Sequence, residues 1–232
     1  MAERPLALIV GANRGIGLGV AREFLARGWD LIATARKPAE AKDLAALAAA
    51  HPGRVDLRPL EMNDPAALDA FAAAMQGKRL DAVLINAGVA GPAHRTASAA
   101  TEAEIGALMY TNAIGPTKLA RAIAGCIPGP DGVLAFTSSV MGSVALNPGG
   151  HELYRASKAA LNSLTRGLWG EVKGSGITVL TLHPGWVRTD MGGPSAAVSV
   201  EDSARGMADV MIAQRGAKQH LFLDYTGKAI EW

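Results

Sequence analysis

The sequence holds a single cysteine in 232 residues. Cys126 therefore has no intrachain partner, which excludes a disulfide framework and suits a reducing compartment. Charge of one sign is not in excess either. Twenty-three Lys and Arg face 21 Asp and Glu, a net charge of +2. That balance gives no electrostatic case for nucleic acid or an anionic membrane as a partner. Long apolar runs are missing: no stretch reaches the roughly 18 residues a spanning helix requires. The apolar run ending at Gly11 is too short for a signal peptide, so the expected location is the cytoplasm. The five histidines show no Cys/His/carboxylate spacing of a metal site, and no metal is expected. His94, His151 and His183 read as structural or surface residues.

What is present is a globular composition, 49% apolar and 19% charged, with 27 glycines. Short apolar runs alternate with longer Ala-rich segments of helical period. Strands are expected at 7–10, 30–35, 55–59, 82–86, 132–137, 177–183 and 219–224. Helices are expected at 15–27, 38–50, 65–75, 102–124, 152–173 and 200–214. The strands are uniformly apolar rather than alternating, which suits a sheet covered on both faces. Strand–helix repetition throughout predicts an α/β fold with a parallel, doubly wound sheet of about seven strands. No linker or low-complexity tract interrupts it, so residues 1–232 read as one Rossmann-type domain. Ligands of such sheets bind beyond the carboxyl ends of the strands.

Directly after the first strand comes Gly11-Ala12-Asn13-Arg14-Gly15-Ile16-Gly17, opening a helix. Glycines permit close backbone approach, and the helix N-terminus offers free amides to a pyrophosphate. This is a dinucleotide loop with the spacing Gly-x-x-x-Gly-x-Gly. The second strand ends Thr34-Ala35-Arg36-Lys37. An NAD site usually has an acid there for the ribose 2′-hydroxyl. Arg36 instead suits a 2′-phosphate, which a guanidinium binds bidentately. Arg14 is expected to reach the same phosphate. The cofactor reading is NADP(H) over NAD(H).

Tyr154 and Lys158 stand four residues apart, on one face of a helix. A phenol beside an ammonium suits proton transfer, and a nearby cation is expected to lower the phenol from its ordinary value near 10.

These motifs together resemble the short-chain dehydrogenase/reductase family along essentially the whole chain, with likeness to sniffer-type carbonyl reductases and C-factor-like proteins. The resemblance rests on the glycine loop, Asn86-Ala87-Gly88, Asn112, Ser138-Ser139, Tyr154 with Lys158, and Pro184-Gly185-Trp186-Val187-Arg188-Thr189. It implies a catalytic set of Ser139, Tyr154, Lys158 and Asn112. Tyr154 would be the general acid/base, Ser139 would hold the substrate oxygen, and Lys158 would assist Tyr154 and bind ribose. Asn112 would hold a water that relays protons. Cofactor contacts are expected from Gly11, Asn13, Arg14, Gly15, Ile16, Gly17, Arg36, Glu61, Met62, Asn86, Ala87, Gly88, Tyr154, Lys158, Pro184, Gly185, Val187 and Thr189. Glu61 and Met62 would lie at the adenine, and Thr189 with the Val187 amide at the carboxamide. Asp190 is expected to cap or pair locally.

The substrate pocket should be lined by Val140, Met141, Ser143, Val144, the loop 147–153, Trp186 and the segment after Met191. The activity expected is NADPH-dependent reduction of aldehydes or ketones, reversible in principle, on a small-molecule substrate. A homodimer or homotetramer is implied by the resemblance. The alternative is an NADP(H)-sensing signalling or regulatory protein whose turnover is incidental.

Overall fold

A computed structural model describes residues 4–232. Seven strands form one sheet: β1 (Leu6–Val10), β2 (Asp30–Ala35), β3 (Val55–Pro59), β4 (Ala82–Ile85), β5 (Val133–Thr137), β6 (Thr178–His183) and β7 (His220–Asp224). All neighbours are parallel, in the order β3-β2-β1-β4-β5-β6-β7. The helices are α1 (Gly15–Ala26), α2 (Lys42–Ala50), α3 (Pro65–Met75), α4 (Glu102–Met109), α5 (Gly115–Ile123), α6 (Glu152–Val172) and α7 (Val200–Ala213).

The period-2 geometry of a strand divides the core into two layers. On β1, Ala7 and Ile9 point to one face, where Phe24 of α1, Leu44 of α2 and Met207 and Met211 of α7 pack. Leu8 and Val10 point to the other, against Phe71 and Met75 of α3, Leu119 and Ile123 of α5 and Leu161 and Leu168 of α6. Both faces are therefore covered, which is why the strands carry unbroken apolar runs. α1 and α7 approach closely because Gly19 has no side chain: a Cβ there would lie 2.7 Å from Ala204 Cβ.

Two helices differ from the expected spans. The 38–50 segment begins as a 3-10 turn at Pro38–Glu40, and Ala41 (ψ 73°) breaks it before α2 starts. The 102–124 segment starts with a capping box, in which Thr101 Oγ1 accepts from Glu104 N and the Glu104 carboxylate accepts from Thr101 N. It then widens into a π-turn at Tyr110–Ile114, with Asn112 at its centre, before continuing as α5.

The topology fixes the site. The chain winds outward from β1 to β3, then crosses back to lay β4 on the other side of β1. The reversal opens a crevice above the carboxyl ends of β1 and β4. The glycine loop follows β1 and Asn86-Ala87-Gly88 follows β4, so both line it.

Candidate active site

The glycine loop is shaped by contacts that only glycine permits at two positions. Gly11 has φ +81°, and a Cβ on it would come within 3.1 Å of the Ala87 backbone. A Cβ on Gly17 would meet the Gly11 carbonyl oxygen at 2.1 Å and Asn86 Nδ2 at 2.8 Å. Asn86 straps the loop in place: Nδ2 donates to the Gly11 carbonyl (3.2 Å), while Oδ1 accepts from Thr137 Oγ1 (3.0 Å). The start of α1 thus presents its free amides to the crevice beside a backbone with no side chain in the way. Ile16 is partly buried against the core and anchors that first turn.

Beyond the end of β2 lies a cavity of about 520 Å³ lined by Asn13, Ala35, Arg36, Lys37, Glu40, Ala41 and Glu61. Lys37 pairs with Glu40 at 2.9 Å. Among the described residues, no carboxylate pairs with Arg36, so its guanidinium is free to receive an anion. The Glu61 carboxylate accepts from the Asn63 amide (3.2 Å), and Met62 is buried. Arg14 is placed otherwise than expected. Its guanidinium forms an ion pair with Asp190, across the crevice from the glycine loop. This corrects two expectations: Arg14 does not point to the Arg36 cavity, and Asp190 does not pair locally.

The acid–base residues converge at the ends of β5 and α6. Ser139 is buried, and its Oγ accepts from the Met141 amide (3.1 Å). Its hydroxyl also acts on the Tyr154 phenol, favouring the phenolate. Lys158 Nζ lies 5.7 Å from the Tyr154 ring centroid and donates to the Thr137 carbonyl at 2.8 Å. Burial disfavours charge on both groups. It pushes the Tyr154 phenol up to about 12, partly offset by the Ser139 hydroxyl, and pulls the Lys158 ammonium down to about 8. The expectation of a depressed phenol is therefore reversed. Desolvation dominates, and Tyr154 is a neutral O–H donor at pH 7.

Asn112 is fully buried and its side chain is fully engaged. Oδ1 accepts from Val89 N (2.8 Å), while Nδ2 donates to the Val89 carbonyl (2.9 Å) and Ser157 Oγ (3.0 Å). It ties the loop after β4 to α6, next to Lys158. A Cβ on Gly88 would lie 3.3 Å from Asn112 Oδ1 and 3.5 Å from Lys158 Nζ, so the loop runs directly over the pair.

Three supporting groups were not singled out from the sequence. Thr137 gives Lys158 its acceptor, and Ser157 receives the Asn112 amide. Asn162, one turn beyond Lys158, accepts from Ser138 Oγ (2.6 Å) and donates to the Gly142 carbonyl (3.2 Å). The readable signal was their position one, two or four residues from the expected catalytic residues.

After β6, Pro184 accepts from buried Ser203 Oγ (2.6 Å), and Gly185 turns with φ +85°. Val187 bridges Val198. Thr189 Oγ1 accepts from the Gly192 amide (3.2 Å), and its methyl faces the Gly15 backbone. The segment therefore sits against the glycine loop and closes that side of the crevice. Trp186 and Met191 are exposed at its rim. A separate cavity of about 290 Å³ is lined by Met141, Ser143, Val144, Asn147 and Glu152, and by Arg155, Ala156 and Ala159 of α6. Neither Ser139 nor Tyr154 lines it.

His183 and His220 are both pulled down to about 4 by burial and are neutral at pH 7. Among the described residues no group of His, Cys, Asp and Glu is placed to hold a metal ion. No described helix is long and apolar enough to cross a membrane.

Residues 5–198 match the family model for short chain dehydrogenase. The chain is 36% identical over 165 residues to the C-signal protein of Myxococcus xanthus, covering 70% of this chain and 99% of that one. A carbonyl reductase from Pseudomonas aeruginosa PAO1, solved in complex with NADP, superposes with a TM-score of 0.91 at 40% identity, covering 99% of this chain and 100% of that one. The carbonyl reductase Sniffer of D. melanogaster does so with a TM-score of 0.88 at 29% identity, over 99% of this chain and 100% of that one. With the parallel sheet and the crevice above β1 and β4 already in place, these matches show that the chain belongs to the short chain dehydrogenase family, a family of oxidoreductases.

Proposed function

We propose that the protein is an NADPH-dependent carbonyl reductase in which Tyr154 is the proton donor. The observation that carries the reading is the Ser139–Tyr154–Lys158 cluster, with a phenol held neutral beside a buried ammonium. When bound, the nicotinamide cofactor supplies the hydride. Tyr154 gives its proton to the substrate oxygen as that oxygen gains negative charge. Ser139 donates a hydrogen bond to the same oxygen and stabilises the developing charge. Lys158 holds positive charge beside the phenolate left behind, and reprotonation of Tyr154 completes the cycle. Asn112 positions Lys158 through Ser157 and the loop at Val89.

The residues present fit NADP. The side-chain-free backbone at Gly11 and Gly17 admits a pyrophosphate, and Arg36, at the 520 Å³ cavity, suits a 2′-phosphate. NADP is also the ligand of the Pseudomonas aeruginosa carbonyl reductase that this chain resembles. The exposed rim residues Trp186 and Met191 favour apolar carbonyls of varied shape. An intact acid–base cluster is needed for turnover and not for sensing, so catalysis is the better reading than cofactor sensing alone.

The test is NADPH consumption against a panel of aldehydes, ketones and quinones, with Tyr154→Phe as the control. Removing a general acid costs on the order of 10²–10⁴ in rate. The variant should lose that much kcat while binding NADPH as the wild type does. No turnover on any carbonyl, with NADPH bound tightly, would overturn the reading.

A further inference from the structure

The loop that joins Ser139 to Tyr154 must flank the bound carbonyl, because both of its ends carry acid–base residues. It leaves Ser139 through a 3-10 turn at Val140–Gly142 and returns to α6 two residues before Tyr154. Between them it exposes Val144 (75%) and Leu146 (47%). Its internal hydrogen bonds are local: Leu146 N to Ser143 Oγ (3.1 Å) and Asn147 N to the Val144 carbonyl (3.4 Å). Among the described residues, one amide from 143 to 147 is bonded outside the loop. Ala145 N donates to the main-chain oxygen of Trp232 at 3.2 Å.

Trp232 is brought there by a return of the chain along β7. Asp224 Oδ1 accepts from Thr226 N, Thr226 Oγ1 and Lys228 N, which makes the turn. The segment then runs antiparallel beside β7, with Ile230 N donating to the Phe222 carbonyl (2.9 Å). The Trp232 indole packs on the His220 ring (4.6 Å between centroids) and on Phe222 (5.2 Å). His220 is itself fixed by Thr181 Oγ1 at 3.0 Å. An aromatic stack on the edge strand thus places the acceptor for the loop after Ser139.

We infer that Trp232 is a positioning residue that sets the reductase's preference among carbonyl substrates by fixing the loop 143–147. The inference rests on the carbonyl reductase reading. Without the indole, the 232 oxygen is no longer held against Ala145, and Val144 and Leu146 lose a defined wall. A small aldehyde, which does not reach that wall, is insensitive to the change; a bulky apolar ketone is not.

The experiment compares wild type, Trp232→Ala and Trp232→Phe on a small aldehyde and a bulky aryl ketone. Hydrogen exchange of the peptide 143–150 and NADPH affinity are measured in parallel. The expected result for W232A is a KM for the ketone raised about tenfold, with kcat, the aldehyde KM and the NADPH Kd each within about twofold of wild type. Exchange over 143–150 should be faster, and W232F should restore both. Equal change in KM for both substrates, or unaltered exchange over 143–150, would overturn the inference. If the wild type reduces no carbonyl, the reductase reading fails by itself. Exchange alone then decides whether Trp232 holds the loop: faster in W232A supports the coupling, and unchanged overturns it.

Discussion

At the scale of single residues, the site is governed by desolvation. Among the described residues Lys158 has no carboxylate partner; its ammonium rests on the Thr137 carbonyl inside the protein. Burial destabilises the cation, so it titrates near 8 instead of 10.5. The sign follows directly: Lys158 is charged below pH 8 and neutral above it. Reduction leaves a phenolate at Tyr154 that this charge stabilises, so the pH profile of kcat/KM for reduction should fall as pH rises through about 8. Tyr154 and Lys158 are close enough that this limb belongs to the pair. Lys158→Arg, which stays charged, should move the limb upward; an unmoved limb would assign it to another group. Arg36 permits a separate test. A charge-assisted contact to phosphate is worth about 1.5–3 kcal/mol, or roughly 10- to 100-fold in affinity. Arg36→Asp should weaken NADPH binding by at least that factor and leave NADH binding within about threefold. Equal effects on the two cofactors in a fluorescence titration would refute a 2′-phosphate at Arg36.

At the scale of elements, the glycine loop is the most constrained segment. A Cβ at position 17 would enter the Gly11 carbonyl, which is backbone tied to Asn86 and cannot swing aside. Overpacking of this kind costs about 1–3 kcal/mol. Gly17→Ala should lower the melting temperature and weaken NADPH binding together; unchanged binding would mean that the loop does not carry the cofactor. This loop was legible in the sequence because its position after an apolar strand and its glycine spacing have one physical reading. The strands were legible for a similar reason: burial on both faces leaves no polar position to blur the run. Other features had no local cause. Nothing in Tyr110-Thr111-Asn112-Ala113-Ile114 announces a π-turn. The break at Ala41, between Glu40 and Lys42, has no proline or glycine to mark it. Arg14 finds Asp190 176 positions away, a pairing that only the folded crevice creates. The Tyr154 titration was misread because spacing reveals a neighbouring cation but not how much water the pair has lost.

At the scale of the whole molecule, the buried histidines set the response to acid. His220 is 6% exposed, faces Thr181, Trp232 and Arg166, and is pulled down to about 4 from 6.5. His183 faces Asp224 and is also pulled down to about 4. Between pH 6.5 and 4 the unfolded chain binds protons at these positions and the folded chain does not. Stability is therefore full above pH 6.5 and falls as pH drops towards 4. At pH 5 the loss from His220 alone is about 2 kcal/mol, which lowers the melting temperature of a protein of this size by roughly 4–8 °C. The carboxylates held low, at Glu104, Glu171 and Asp224, act only at more acid pH, because their own unfolded values lie near 4. The upper part of the window therefore belongs to the histidines. Thermal melts of wild type and His220→Gln at pH 7 and pH 5 separate this linkage from general acid sensitivity. Glutamine keeps a hydrogen-bonding group towards Thr181 but takes up no proton. H220Q should lose stability at pH 7 through its poorer stack on Trp232, yet fall by roughly 4–8 °C less than wild type between the two pH values. The same fall in both proteins would show that His220 is not held neutral by burial.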